Sequence, residues 1–142
     1  MRRLAILLGL LLAGCASETT SLLQVELTGV ITLGTEAGGD VRVDLHHASM
    51  GEGDLEHPLG PIESFWTTLG QDFEHALEYP TDDGTGLVVY AWLDRDEDGV
   101  LCAPGVDDEE AGLVEVADFP AWTVDVEVEL TDLCEGPEGL YP

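Results

Sequence analysis

From Trp122 to Leu130 the chain alternates without a break. Trp122, Val124, Val126, Val128 and Leu130 fall on one parity, and Thr123, Asp125, Glu127 and Glu129 on the other. A period of two is the signature of an extended strand with one face buried and one in water. The same rhythm recurs upstream. Leu23, Val25, Leu27, Ile31 and Leu33 share a parity in LLQVELTGVITLG, and Val41, Val43 and Leu45 lie opposite Arg42, Asp44 and His46 in VRVDLHH. LVVYAWLD, from Leu87 to Asp94, is apolar on both parities and reads as a central strand covered on both faces. IESFWTTLG and DFEHALEYP flank a short Gly-Gln turn that suggests a hairpin, and GLVEVAD supplies a further strand. No segment after the N-terminal apolar run carries a helical period. Seven short strands separated by Gly- and Pro-containing turns predict an all-β, antiparallel, two-sheet sandwich over residues 23–142. In that arrangement Trp122 is expected in the core with the valines that follow it.

The first residues have a different character. MRR is basic, LAILLGLL is apolar and too short to span a bilayer as a lasting helix, and small residues follow. Leu12, Ala13, Gly14 and Cys15 resemble the lipobox of exported bacterial lipoproteins. The resemblance implies removal of residues 1–14, diacylation of Cys15, and a short tether over 15–22. With Ala16 after the cysteine it also implies the outer membrane of a Gram-negative cell. The competing reading is an ordinary signal peptide with an incidental cysteine. Several acyl chains hold a membrane far better than one.

Charge sets the class of partner. Once Arg2 and Arg3 leave with the signal, Arg42 and Arg95 face thirty acids, a formal charge of −28. Such a surface repels nucleic acid and anionic headgroups and attracts cations, so nucleic-acid binding is not expected. Solubility alone is a sufficient reason for much of this acidity.

With Cys15 assigned to lipid, Cys102 and Cys134 remain. In an oxidising compartment they are expected to pair, closing a loop that contributes roughly 3 kcal/mol on the chain-entropy account. A free catalytic thiol is the other reading, and no histidine lies near either cysteine in sequence.

The stretch WLDRDEDGVLCAPGVDDEE carries the one recognisable chemical spacing. Asp94, Asp96 and Asp98 occupy positions one, three and five of a D-x-D-x-D-G loop, Gly99 occupies position six, and Val100 stands where a backbone carbonyl is usual. Calcium takes six to eight oxygens, and this spacing delivers several of them from one turn. Position twelve is Gly105 instead of a bidentate Glu, and a strand enters where an EF-hand has a helix. The loop therefore resembles the calcium loops of β-rich proteins, not an EF-hand. The missing carboxylate is expected from the acidic run that begins at Asp107 and Asp108 and continues through Glu109 and Glu110. A solvated turn with surplus negative charge is the alternative. The order of elements resembles immunoglobulin-like or transthyretin-like modules, a similarity of fold that implies no activity.

Other constellations are weaker. His46 and His47 are adjacent and point to opposite faces of a strand, and His57 precedes a proline. His75 shares parity with Phe73, Leu77 and Tyr79. A transition-metal site has poor spacing here. Neither G-x-S-x-G nor H-E-x-x-H occurs. Two function classes follow. The first is a non-enzymatic, membrane-anchored, calcium-stabilised module of the cell envelope. The second is a carbohydrate-binding protein or hydrolase with its site in the end loops of the sandwich. Trp66, Trp92 and Trp122 could form a sugar platform, but parity places Trp122 in the core and two scattered tryptophans are more often packing than a platform.

Overall fold

A computed structural model describes residues 20–48, 59–82, 86–105 and 108–141. The lipobox, Cys15, the first part of the tether, His57 and Asp107 lie outside the described residues. The elements in chain order are β1 (Leu22–Thr32), β2 (Asp40–Ala48), β3 (Leu59–Thr68), β4 (Asp72–Pro80) and β5 (Gly86–Asp94). After them come β6 (Glu110–Glu115), β7 (Thr123–Glu129), β8 (Asp132–Leu133) and a single helical turn, α1 (Pro137–Leu140). They form two sheets packed face to face, one ordered β4-β1-β7 and the other β3-β2-β5-β6-β8. The all-β sandwich expected from the alternating pattern is the fold observed.

The alternation explains the packing. Val25, Leu27 and Ile31 of β1 and Val124, Val126 and Val128 of β7 turn inward from the small sheet. They meet Val41, Val43 and Leu45 of β2 and Leu87, Val89, Ala91 and Leu93 of β5. β5 lies at the middle of the larger sheet and every one of its residues is buried. Its second face, Tyr90 and Trp92, packs with Ala111 beneath Leu101, Leu113 and Leu140. The Tyr90 hydroxyl donates to the Glu135 carbonyl at 2.9 Å, so the C-terminal segment forms a partial third layer.

Four expectations need correction. β3 and β4 are not a hairpin: β3 pairs with β2, and β4 pairs with β1. The link between them crosses from one sheet to the other. Leu69 at its start is fully buried, Gly70 N–H donates to the Ile31 carbonyl, and Leu69 and Gly38–Gly39 exchange backbone hydrogen bonds. Burial of the Leu69 side chain at the end of the sandwich draws the chain across. Phe65 and Phe73, 5.3 Å apart, and the His75–Glu63 contact at 2.8 Å then close that edge between the sheets. The sheets are also not wholly antiparallel, because β7 runs parallel to β1. An eighth strand of two residues, β8, extends the larger sheet. Finally, Trp122 does not enter the core. Its carbonyl accepts from Glu26 N–H, β7 begins only at Thr123, and the indole is 78% exposed.

His46 and His47 do face opposite ways. His47 packs edge-on against Tyr79 inside the sandwich, at 4.7 Å between ring centroids. His46 is buried on the outer face, and its Nδ1 has no hydrogen-bond partner among the described residues. Burial holds its imidazole below the ordinary range, against the opposing pull of Asp44 and Glu138. A histidine whose folded value is depressed stabilises the fold above its unfolded value of about 6.5. That contribution is lost as pH falls from there toward the lower folded value. Urea midpoints measured above and below pH ~6.5 should show wild type losing stability relative to His46→Gln on acidification. Parallel pH profiles for the two proteins would refute this.

Candidate metal centre

The pairing of β5 with β6 builds the site. In that register Val88 faces Glu115, Tyr90 faces Leu113 and Trp92 faces Ala111. Continued by two residues, it sets Asp94 opposite Glu109. On the other side of β5, Asp94 faces Asp40 of β2. The end of the central strand thus carries a row of acids on its outer face.

Beyond Asp94 the chain turns on its own side chains. Asp94 accepts from the N–H groups of Asp98 at 3.2 Å and Gly99 at 2.9 Å. Asp96 accepts from Asp98 N–H at 3.1 Å, and Asp98 from Val100 N–H at 2.8 Å. Short carboxylate side chains bonding backbone N–H groups a few residues on are what make Asp a turn former. Gly99 has φ +75°, a region where glycine carries no Cβ penalty. The turn gathers Asp94, Asp96 and Asp98 around its inside.

Glu109 completes the group. One oxygen from each of Asp94, Asp96, Asp98 and Glu109 lies within 4.8 Å of the others, so these four residues could hold a metal ion. Asp94 is 6% exposed and Glu109 is fully buried, whereas Asp96 and Asp98 face solvent. Glu109 is held from three directions. Its Oε1 accepts from Arg95 N–H at 3.1 Å, its Oε2 accepts from Cys102 N–H, and its carbonyl accepts from Cys134 N–H at 3.0 Å. Cys102 and Cys134 are joined by a disulfide with Cα atoms 5.5 Å apart. The expected bridge is therefore present, and it brackets the buried glutamate.

Arg95 provides the only guanidinium beside the group among the described residues, and it is already engaged. It pairs with Glu110 and Glu36 at 2.8–2.9 Å and donates to the Asp108 carbonyl at 2.9 Å. Those two glutamates push its pKa upward and keep it charged, and Arg95 in turn lowers that of Glu36. The ion pairs clip the turn after β1 to the start of β6, behind the loop.

Of the sequence-based candidates, Asp94, Asp96 and Asp98 are brought together, and Val100 closes the turn through its N–H. Asp108 is exposed and offers its carbonyl to Arg95. The fourth carboxylate of the converging group comes from the next residue, Glu109. Its position in the acidic run is visible in the sequence, but its selection depends on strand register. Oxygen donors alone, from carboxylates, suit a hard cation and not a thiophilic one. Comparison with protein families, curated proteins and solved structures finds no match for this chain.

Proposed function

We propose that this chain is a calcium-stabilised β-sandwich of the bacterial cell envelope, anchored by lipid at Cys15, that acts as a non-enzymatic interaction or structural module. The observation that carries the metal reading is Glu109, a fully buried carboxylate converging with three aspartates. A buried anion is costly without a compensating cation, and four like charges this close repel one another. Two backbone N–H groups and an Arg95 committed elsewhere compensate only part of that cost. A divalent cation supplies the rest. The all-oxygen set and the D-x-D-x-D-G turn favour calcium over magnesium, whose octahedron is smaller and stricter. With position twelve vacant of Glu, affinity belongs to the weak class of extracytoplasmic sites, about 0.1–1 mM.

The anchor reading rests on the LAGC segment. From Cys15 only a few residues lead into β1, which rises about 35 Å at ~3.3 Å per residue. The candidate metal loop lies at the other end of that strand direction, beside the start of β2 and the end of β5. Within the domain the loop therefore lies at the end opposite the first residues of β1.

The test is thermal unfolding with calcium and with EDTA. Calcium at about ten to a hundred times its Kd should stabilise by about 1.4–2.7 kcal/mol, a rise of several degrees in Tm. Asp94→Ala and Asp98→Ala should abolish the rise. An unchanged melt at saturating calcium, with the same melt in EDTA, would sink the metal reading. The anchor is tested separately: Cys15→Ala should release the protein from the membrane fraction, and retention there would refute lipidation.

A further inference from the structure

The outer face of the larger sheet holds a pocket next to the loop that the structural role of an ion leaves unused. It is lined by Asp40, Trp66, Asp94, Glu97, Asp98 and Gly99, with a volume of about 350 Å³. That lies at the lower end of the range for small-ligand sites.

Trp66 is the unusual wall. It is 46% exposed, yet its position is fixed. In the β3-β2-β5 register Trp66, Arg42 and Trp92 form one cross-strand row on the outer face. Trp92 meets Trp66 edge-on at 6.0 Å between ring centroids. The Arg42 guanidinium lies 5.4 Å from the Trp66 centroid and is drawn toward the next row, to Asp44 at 2.9 Å and Ser64 at 2.6 Å. Arg42 does not line the pocket. The indole is thus braced on the Arg42 and Trp92 sides and borders the cavity on the side of Asp40 and the aspartate loop. An exposed tryptophan held in this way offers apolar contact area at little cost in side-chain entropy.

The rest of the wall is made of acceptors. Asp40 and Glu97 lie outside the converging metal group, and Asp94 and Asp98 belong to both. Calcium takes six to eight oxygens, so four carboxylates leave room in its shell if each gives one, and the shared aspartates put the pocket against that shell. A neutral sugar fits these demands together. Its C–H face packs on an indole, its hydroxyls donate to carboxylates, and a pair of hydroxyl oxygens can complete a hard cation's shell. Anionic sugars meet four carboxylates and are disfavoured, and an organic cation competes with the metal for Asp94 and Asp98.

We infer that this pocket binds a neutral sugar residue of a surface glycan in a calcium-dependent manner. Trp66 is the stacking platform, Asp40 and Glu97 are hydroxyl acceptors, and the ion of the aspartate loop bridges protein and ligand. The inference rests on the metal reading above and names the partner of that same site.

The experiment is a titration of the full-length protein with maltose, mannobiose and di-N-acetylchitobiose in saturating calcium, followed by calorimetry and by tryptophan fluorescence. At least one should bind saturably, and binding should fall about tenfold or more in EDTA. Trp66→Ala should weaken it up to about tenfold, the scale of one lost aromatic contact, with Trp66→Phe between. Asp40→Asn, on the pocket rim and outside the metal group, should weaken sugar binding while the calcium-induced rise in Tm persists. Absence of binding to all three sugars, with that rise intact, overturns the glycan inference and leaves the metal reading standing. Equal binding in calcium and EDTA overturns the ion bridge. Saturable binding of spermidine that Trp66→Ala abolishes, with none of the sugars binding, overturns it in favour of an organic-cation pocket.

Discussion

Replacing Cys102 and Cys134 by serine should lower unfolding stability by about 3–4 kcal/mol and weaken calcium binding in the same protein. The bridge spans 32 residues of sequence, and closing a loop of that length removes this much entropy from the unfolded chain. In a domain of this size the loss corresponds to a fall of more than about 10 °C in Tm. The second effect is local. Glu109 is fixed by N–H groups of both bridged cysteines, so cutting the bridge loosens the buried carboxylate as well as the chain. Calorimetry of oxidised and reduced wild type and of the double serine variant, each with and without calcium, separates the two. A Tm within about 2 °C of wild type would refute the stability estimate. An unchanged calcium-induced rise in Tm would show that Glu109 does not depend on the bridge.

Gly112→Ala should be as damaging, for a reason confined to the backbone. A Cβ at Gly112 would stand 2.1 Å from the Glu129 carbonyl oxygen and 3.2 Å from the Leu130 Cα. None of these is a flexible side-chain end, so the segment leaving β7 has to move. That segment bonds Thr131 N–H to the Ala111 carbonyl and leads within a few residues to Cys134. Overpacking of this kind costs about 1–3 kcal/mol, and backbone contacts place it at or above the upper end. Gly136→Ala is the control, since a Cβ there meets nothing within 4 Å. It should change stability by no more than about 0.5 kcal/mol. Equal urea midpoints for the two variants would refute the argument.

The sandwich was legible because β7, β1 and β2 alternate and β5 is apolar on both faces, and burial of one face is what such patterns encode. Trp122 continued the pattern by letter, but a strand pattern does not mark where pairing stops. The β3–β4 connection failed for a different reason. A short polar turn looks the same whether the next strand lies beside the last or in the opposite sheet, and only burial of Leu69 decides it. The aspartate turn was legible because its hydrogen bonds run between residues two to five apart. Glu109 does not stand out from its acidic neighbours in the sequence, because its place opposite Asp94 follows from the β5–β6 register, a long-range property.

The parallel pairing of β1 with β7 governs the order in which the molecule can be assembled. Glu26 faces Thr123, so the first strand waits for a partner 97 residues downstream. Its other neighbour, β4, can join it earlier, but two strands make a marginal sheet. The small sheet reaches its three strands only when residues near 129 have been synthesised. Non-local closure of this kind is slow, because the entropy of a long loop is lost before the contacts form. A chain delivered from its N-terminus can pair β2, β3 and β5 earlier, but the sheet that covers their inner face stays incomplete until β7 arrives.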